Sequence, residues 1–193
     1  MATASTRTAT LDDFLRAEAE APEGARLALI DGEIVEWGAN LTTRNSRHSR
    51  AMACISHRLL HWLESQTNVI GVVACGEARC QLREQPDSVV GLDVAYFAGE
   101  RHLRSLDVSD TFLGPPEVAV EVLSGSDTHD RIIDRIRTLL DGGVKQVWVA
   151  DPDLMNVTVY RQDADEVLYS QNQMLTGGTE LPGFECSVRA LFQ

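Results

Sequence analysis

Two acidic residues interrupt runs that otherwise belong in a protein core. Glu121 lies within Glu117-Val-Ala-Val-Glu-Val-Leu123, and Asp93 lies within Val89-Val-Gly-Leu-Asp-Val-Ala-Tyr-Phe97. An ionised carboxylate near a core is unfavourable unless something pairs with it. A divalent cation is one such partner and an arginine is another. Two carboxylates on two core strands can converge on one Mg²⁺, which takes carboxylate oxygens and keeps several waters. Spacing alone leaves other readings open. Either acid can face solvent on an amphipathic strand, or pair with an arginine in a purely structural ion pair.

The elements that must position these acids are readable from pattern. In the second run Val118, Val120 and Val122 alternate on one face, with Glu117, Ala119, Glu121 and Leu123 on the other. Ile132, Ile133, Ile136, Leu139 and Leu140 then recur at helical spacing, and Gly142-Gly143 ends that helix. A buried strand follows over 144–150, with a turn at 151–156 and a hairpin partner at 157–160. Strand, helix, strand in this order predicts a parallel crossover. Upstream, Thr10 and Asp13 have the spacing of a helix cap, and Leu11, Phe14 and Leu15 give that helix an apolar stripe. Asp31-Gly32 joins two apolar runs as a two-residue hairpin turn. A helix is predicted over 49–63, strands over 69–75 and 78–82, and a third strand over 89–97. The expected fold is α/β (α+β), a mixed sheet flanked by helices with an N-terminal hairpin.

The chain has 193 residues, enough for one domain with a real core. Residues 1–9 read as a flexible tail and 10–193 as a single domain. No run is long and apolar enough to span a membrane, and the N-terminus lacks an apolar signal region. Cys54, Cys75, Cys80 and Cys186 form no CxxC pair, so reduced thiols in a cytoplasmic protein are expected. The net charge of −12 argues against a high-affinity nucleic-acid binder, because phosphate contacts supply most of that affinity. It leaves room for one local basic face. Residues 38–63 contain no acid and hold Arg44, Arg47, His48 and Arg50 near their start. That segment is the candidate phosphate-facing surface; the alternative is a basic face paired with acids elsewhere. His48 is also a candidate to assist at a site, as histidine is the side-chain type suited to proton transfer.

A succession of short motifs resembles the Uma-two family of restriction-endonuclease-like proteins. They are Leu29-Ile-Asp-Gly-Glu33, Gly91-Leu-Asp-Val-Ala95, Val120-Glu-Val-Leu-Ser124, Gly143-Val144, Val147-Trp-Val-Ala-Asp-Pro152 and Leu181-Pro-Gly-Phe184. Each is weak alone; their order over residues 10–192 is specific. The resemblance implies the PD-(D/E)XK nuclease core and metal-dependent phosphodiester cleavage, with Mg²⁺ or Mn²⁺ as cofactor and DNA as substrate. It places the two metal-binding acids on Asp93 and Glu121, and either an outer ligand or a surface-turn carboxylate on Glu77.

This chain departs from that pattern at two places. The broader superfamily has a lysine two residues after the second acid, where this chain has Leu123. In the resembled family the lysine sits eight residues before the glycine of Gly-Val, which is Arg135 here. Arginine keeps the charge and can clasp a phosphate with two hydrogen bonds, but its pKa is too high for proton transfer. Ala28 stands where the family often has a glutamate. Three functions are therefore carried forward: a metal-dependent endonuclease with Asp93, Glu121 and Arg135 as catalytic residues, a catalytically lapsed binding or assembly module, and a hydrolase of a smaller phosphate-containing substrate. Two-strand cleavage also suggests a homodimer.

Overall fold

A computed structural model describes residues 8–22, 25–37, 45–105, 107, 109–125 and 127–193. Helix α1 (Leu11–Glu20) starts at the predicted cap. The Thr10 N–H donates to the Asp13 carboxylate at 3.0 Å, and the Asp13 N–H donates to the Thr10 hydroxyl at 3.3 Å. Strands β1 (Leu27–Ile30) and β2 (Glu33–Glu36) form the hairpin, with Asp31 and Gly32 at φ of 52° and 77°. Two positive φ values are what the tight hairpin turn requires. Phe14 of α1 packs on Leu29 and Val89 beneath it.

Helix α2 (Ser46–Ser65) begins three residues earlier than its apolar stripe suggests, because the Asn45 side chain caps it by accepting the His48 N–H at 2.9 Å. Ala51, Ile55, Leu59 and Trp62 line its buried face. Strand β3 (Gly71–Arg83) joins the two predicted strands into one. The pairing steps from Cys75↔Val94 to Ala78↔Leu92, so β3 carries an extra residue at Gly76-Glu77, both with positive φ. That is a β-bulge.

Strand β4 (Ser88–Ala98), short helix α3 (Glu100–Ser105), and strands β5 (Phe112–Leu113) and β6 (Val118–Val122) follow. Helix α4 (His129–Asp141) connects β6 to strand β7 (Gln146–Asp151), which lies parallel to it. The crossover is thus as the pattern predicts. Strands β8 (Asn156–Tyr160) and β9 (Val167–Ser170) extend the sheet, while β10 (Met174–Thr176) and β11 (Glu185–Ser187) form a separate small pair before a 3₁₀ turn at Val188–Leu191.

The large sheet runs β2-β1-β4-β6-β7-β8-β9, with β3 along the other edge of β4 and β5 beyond β3. Helix α2 packs on one face with Val94, Tyr96, Val118, Val120, Val122 and Trp148. Helix α4 packs on the opposite face through Ile136 and Leu139 with Ala95, Ala119, Val147 and Val149. The alternating valines of β6 therefore face α2, as their spacing predicts.

One feature of β4 sets up the site. Strand β1 pairs with β4 at Val89, and β6 pairs with it from Val94 to Tyr96. Between these contacts the sheet splits, and side chains replace ladder partners. The Trp37 indole N–H donates to the Gly91 carbonyl at 3.1 Å, and the Val122 N–H donates to Oδ2 of Asp93 at 2.9 Å. Leu92 and Ala95, three residues apart, face the same core, so the in-out alternation of β4 resets at Asp93.

Candidate active site

Asp93 and Glu121 occupy this split. The β4–β6 ladder ends at Val94↔Val120, and the two acids are the next residue on each strand. They are 2% and 4% exposed, so each carboxylate needs a partner, and each takes one from a different helix. His48 enters from α2. Its ring is fully buried, and Nε2 lies 3.3 Å from Oδ2 of Asp93, off the direction of an ideal hydrogen bond. Arg135 enters from α4 and forms an ion pair with Oε2 of Glu121.

Electrostatics at Asp93 are a contest. Burial pushes its carboxyl up, but contact with His48, the His48 charge, the Val122 N–H and the Arg135 charge outweigh that and hold it at about 2. Asp93 is therefore ionised at neutral pH.

Arg135 has a second contact. Its guanidinium lies over the Trp37 ring, 5.2 Å from the centroid, a cation–π arrangement. Trp37 follows the β1–β2 hairpin, so the hairpin and α4 close on each other around this pair. Between them lies a cleft of about 410 Å³, lined in part by Trp37, Arg131 and Arg135. It leads from solvent to the guanidinium that holds Glu121.

The residues singled out from sequence divide into three groups. Asp93, Glu121, His48 and Arg135 are brought together, with Arg135 in the ion pair that the sequence left as one alternative. Glu77 sits in the β3 bulge, across from the stretch of β4 that carries Asp93, and pairs with Arg26. Among the described residues no group of three His, Cys, Asp or Glu side chains converges tightly enough to hold a metal. Arg47 and Arg50 lie on the solvent side of α2, where Arg47 pairs with Asp153 at 2.5 Å. Both line a surface cavity with Asp153 and Phe192. Arg44 lies outside the described residues. The basic segment is thus divided, with His48 turned into the core and its neighbours turned out.

Trp37 was not marked by sequence reasoning, because a lone aromatic after a hairpin strand reads as core. His48 carried a usable signal: it lies three residues before Ala51 and seven before Ile55, on the buried stripe of α2.

The architecture defines a restriction-endonuclease-like class of protein: a mixed sheet with a helix on each face and an acid pair where central strands part. A crystal structure from Anabaena variabilis ATCC 29413, described as a "putative nuclease belonging to DUF820", matches it with a TM-score of 0.74. The match covers 95% of this chain and 97% of that one, at 22% sequence identity. At that identity the likeness is one of fold. No curated protein matches the sequence. The chain belongs to the Uma2 family, described as "Putative restriction endonuclease", which it matches over residues 11–189. Among the described residues no helix is long and apolar enough to cross a membrane, and the four cysteines are free thiols.

Proposed function

We propose that this protein is a metal-dependent nuclease that hydrolyses phosphodiester bonds in DNA. The observation that carries the proposal is two buried carboxylates, Asp93 and Glu121, on adjacent strands at the point where β4 and β6 part, with Arg135 ion-paired to Glu121 and its charge acting on Asp93 as well. The family description supports it.

The residues present suit a hard divalent ion. Oε1 of Glu121 is buried and accepts no hydrogen bond from the described residues, which leaves a carboxylate oxygen for a cation. Asp93 and Glu121 would hold Mg²⁺ or Mn²⁺, with waters and phosphate oxygens filling the remaining positions. When bound, such an ion polarises the phosphodiester and lowers the pKa of a water beside it. His48 and the Val122 N–H fix the Asp93 carboxylate in one orientation. Arg135 offers two donors to the charge that develops on phosphate. It does not serve as a proton carrier. Glu77, held by Arg26 in the bulge opposite Asp93, would be an outer ligand. Cleavage of both strands of a duplex calls for two sites, so the proposal includes a homodimer. Free thiols suit the cytoplasm.

A second reading has its own support. Arg135 already supplies the counter-charge of Glu121, and the cleft beside it carries Asp31, Glu33, Glu36 and Asp134. A lapsed family member with a binding role, or a hydrolase of a smaller phosphate-containing substrate, tolerates that acidic rim better than an enzyme acting on polyanions. The test is to incubate the protein with plasmid, single-stranded DNA, RNA and a small aryl phosphodiester, each with Mg²⁺ or Mn²⁺. Cleavage of DNA supports the nuclease. Turnover of the aryl diester alone selects the small-substrate hydrolase. No turnover of any substrate selects the lapsed module.

A further inference from the structure

We infer that the cleft between the β1–β2 hairpin and α4 is a phosphate-binding site, and that its occupation and metal binding at Glu121 reinforce each other through Arg135. The inference rests on the nuclease reading and adds the residues that receive the substrate and the coupling between substrate and metal.

Arg131 and Arg135 are one helical turn apart on α4, and both line the cleft. Side chains spaced by four on a helix share a face. Arg131 is exposed at the mouth, while the Arg135 side chain is 13% exposed further in. Two guanidinium groups along one wall suit a phosphodiester oxygen pair. The Trp37 ring, on the opposite wall, lies against that guanidinium at 5.2 Å.

In this structure Arg135 is committed to Glu121. A buried carboxylate needs one compensating cation, and removing it is costly. A divalent ion brought to the other oxygen of Glu121 would stand beside the guanidinium. With a divalent ion bound, the ion and the guanidinium together outweigh the two carboxylates of Asp93 and Glu121, and a further anion would balance that excess. A phosphate in the cleft is that anion, and it draws on the same guanidinium. The carboxylates of Asp31, Glu33, Glu36 and Asp134 on the same cleft act in the same sense. They oppose a phosphate when no metal is present, because the cleft then carries more acids than bases. Metal and phosphate should therefore bind weakly alone and tightly together. By thermodynamic reciprocity each must tighten the other by the same factor.

The experiment is Mn²⁺ titration of the full chain, read by electron paramagnetic resonance, with and without a short phosphorothioate oligonucleotide that resists cleavage. For the native sequence the oligonucleotide is expected to tighten Mn²⁺ by about tenfold, within the usual range for coupled sites. Arg135→Gln is expected to bind Mn²⁺ more tightly than the native chain when no oligonucleotide is present, and to lose most of the coupling. Thermal melts guard against a folding defect: Mn²⁺ should raise the Tm of Arg135→Gln more than that of the native chain, because the ion replaces the lost counter-charge. Arg135→Lys should fall between the two in both readouts. Arg131→Gln should weaken the oligonucleotide while the coupling factor persists. If Arg135→Gln keeps the native Mn²⁺ affinity and the native coupling, the inference is wrong while the nuclease reading stands. If the native chain binds no Mn²⁺ with or without oligonucleotide, both fail.

Discussion

The Nε2 atom of His48 lies 3.3 Å from Oδ2 of Asp93, and both side chains are sealed from solvent. The contact ties the first turn of α2 to the point where β4 changes its partner strand. Removing one member of a buried pair leaves the other without compensation. His48→Ala is expected to destabilise the fold by about 3 kcal/mol, with His48→Gln losing less. Urea unfolding followed by circular dichroism measures this. A loss below about 0.5 kcal/mol, the level of an ordinary surface substitution, would show that the contact contributes nothing.

The same site gives a sign for acid stability. The Asp93 carboxyl is held at about 2 in the folded protein, below its ordinary value. A depressed acid contributes stability that is present above the unfolded pKa and lost as pH falls through the folded one. Asp93 therefore helps to set the steepness of unfolding between about pH 4 and pH 2. Asp93→Asn should flatten that part of a stability-against-pH curve relative to the native chain. An unchanged slope contradicts the assignment.

The Glu121–Arg135 pair is a constraint on stability as well as a candidate catalytic element. Arg135→Met leaves a buried carboxylate and should cost about 3–5 kcal/mol without metal. Replacing both residues together, Glu121→Leu with Arg135→Met, removes the charges and should cost far less than the single change. A double-mutant cycle in urea gives the coupling directly. Additive losses would mean that the pair is not coupled.

The bulge at Gly76-Glu77 faces the same stretch of β4. Gly76 has φ of 88°, and a Cβ placed there would meet no atom within 4 Å. Gly76→Ala therefore tests backbone conformation alone, and about 1–2 kcal/mol of destabilisation is expected from the left-handed region. A neutral substitution would indicate that β3 can run past Asp93 without the bulge.

Much of this layout was legible because it rests on local rules. The Thr10 cap, the Asp31-Gly32 turn and the valines at 118, 120 and 122 each carry a period or a turn chemistry that holds in any context. Asp93 and Glu121 stood out because charge in an apolar strand conflicts with burial. Their partners were harder to read. Nothing near Asp93 in the chain points to His48, which approaches from a different layer of the fold. Arg135 was found by counting back from Gly143, yet its pairing with Glu121 was only one of several open readings. The split at Gly76 read as a break between two strands, whereas in the fold it is an irregularity inside one. Strand β9 gave no signal at all: Val167 and Leu168 are both exposed at the sheet edge, so its residues show no in-out alternation.

The central claim is that Asp93 and Glu121 hold one divalent ion between them, and Mn²⁺ binding to the full chain in the presence of a cleavage-resistant oligonucleotide tests it most directly. One bound equivalent is predicted for the native sequence, abolished by Asp93→Asn alone and by Glu121→Gln alone, with both variants folded. Retention of that equivalent in either variant would contradict a shared site.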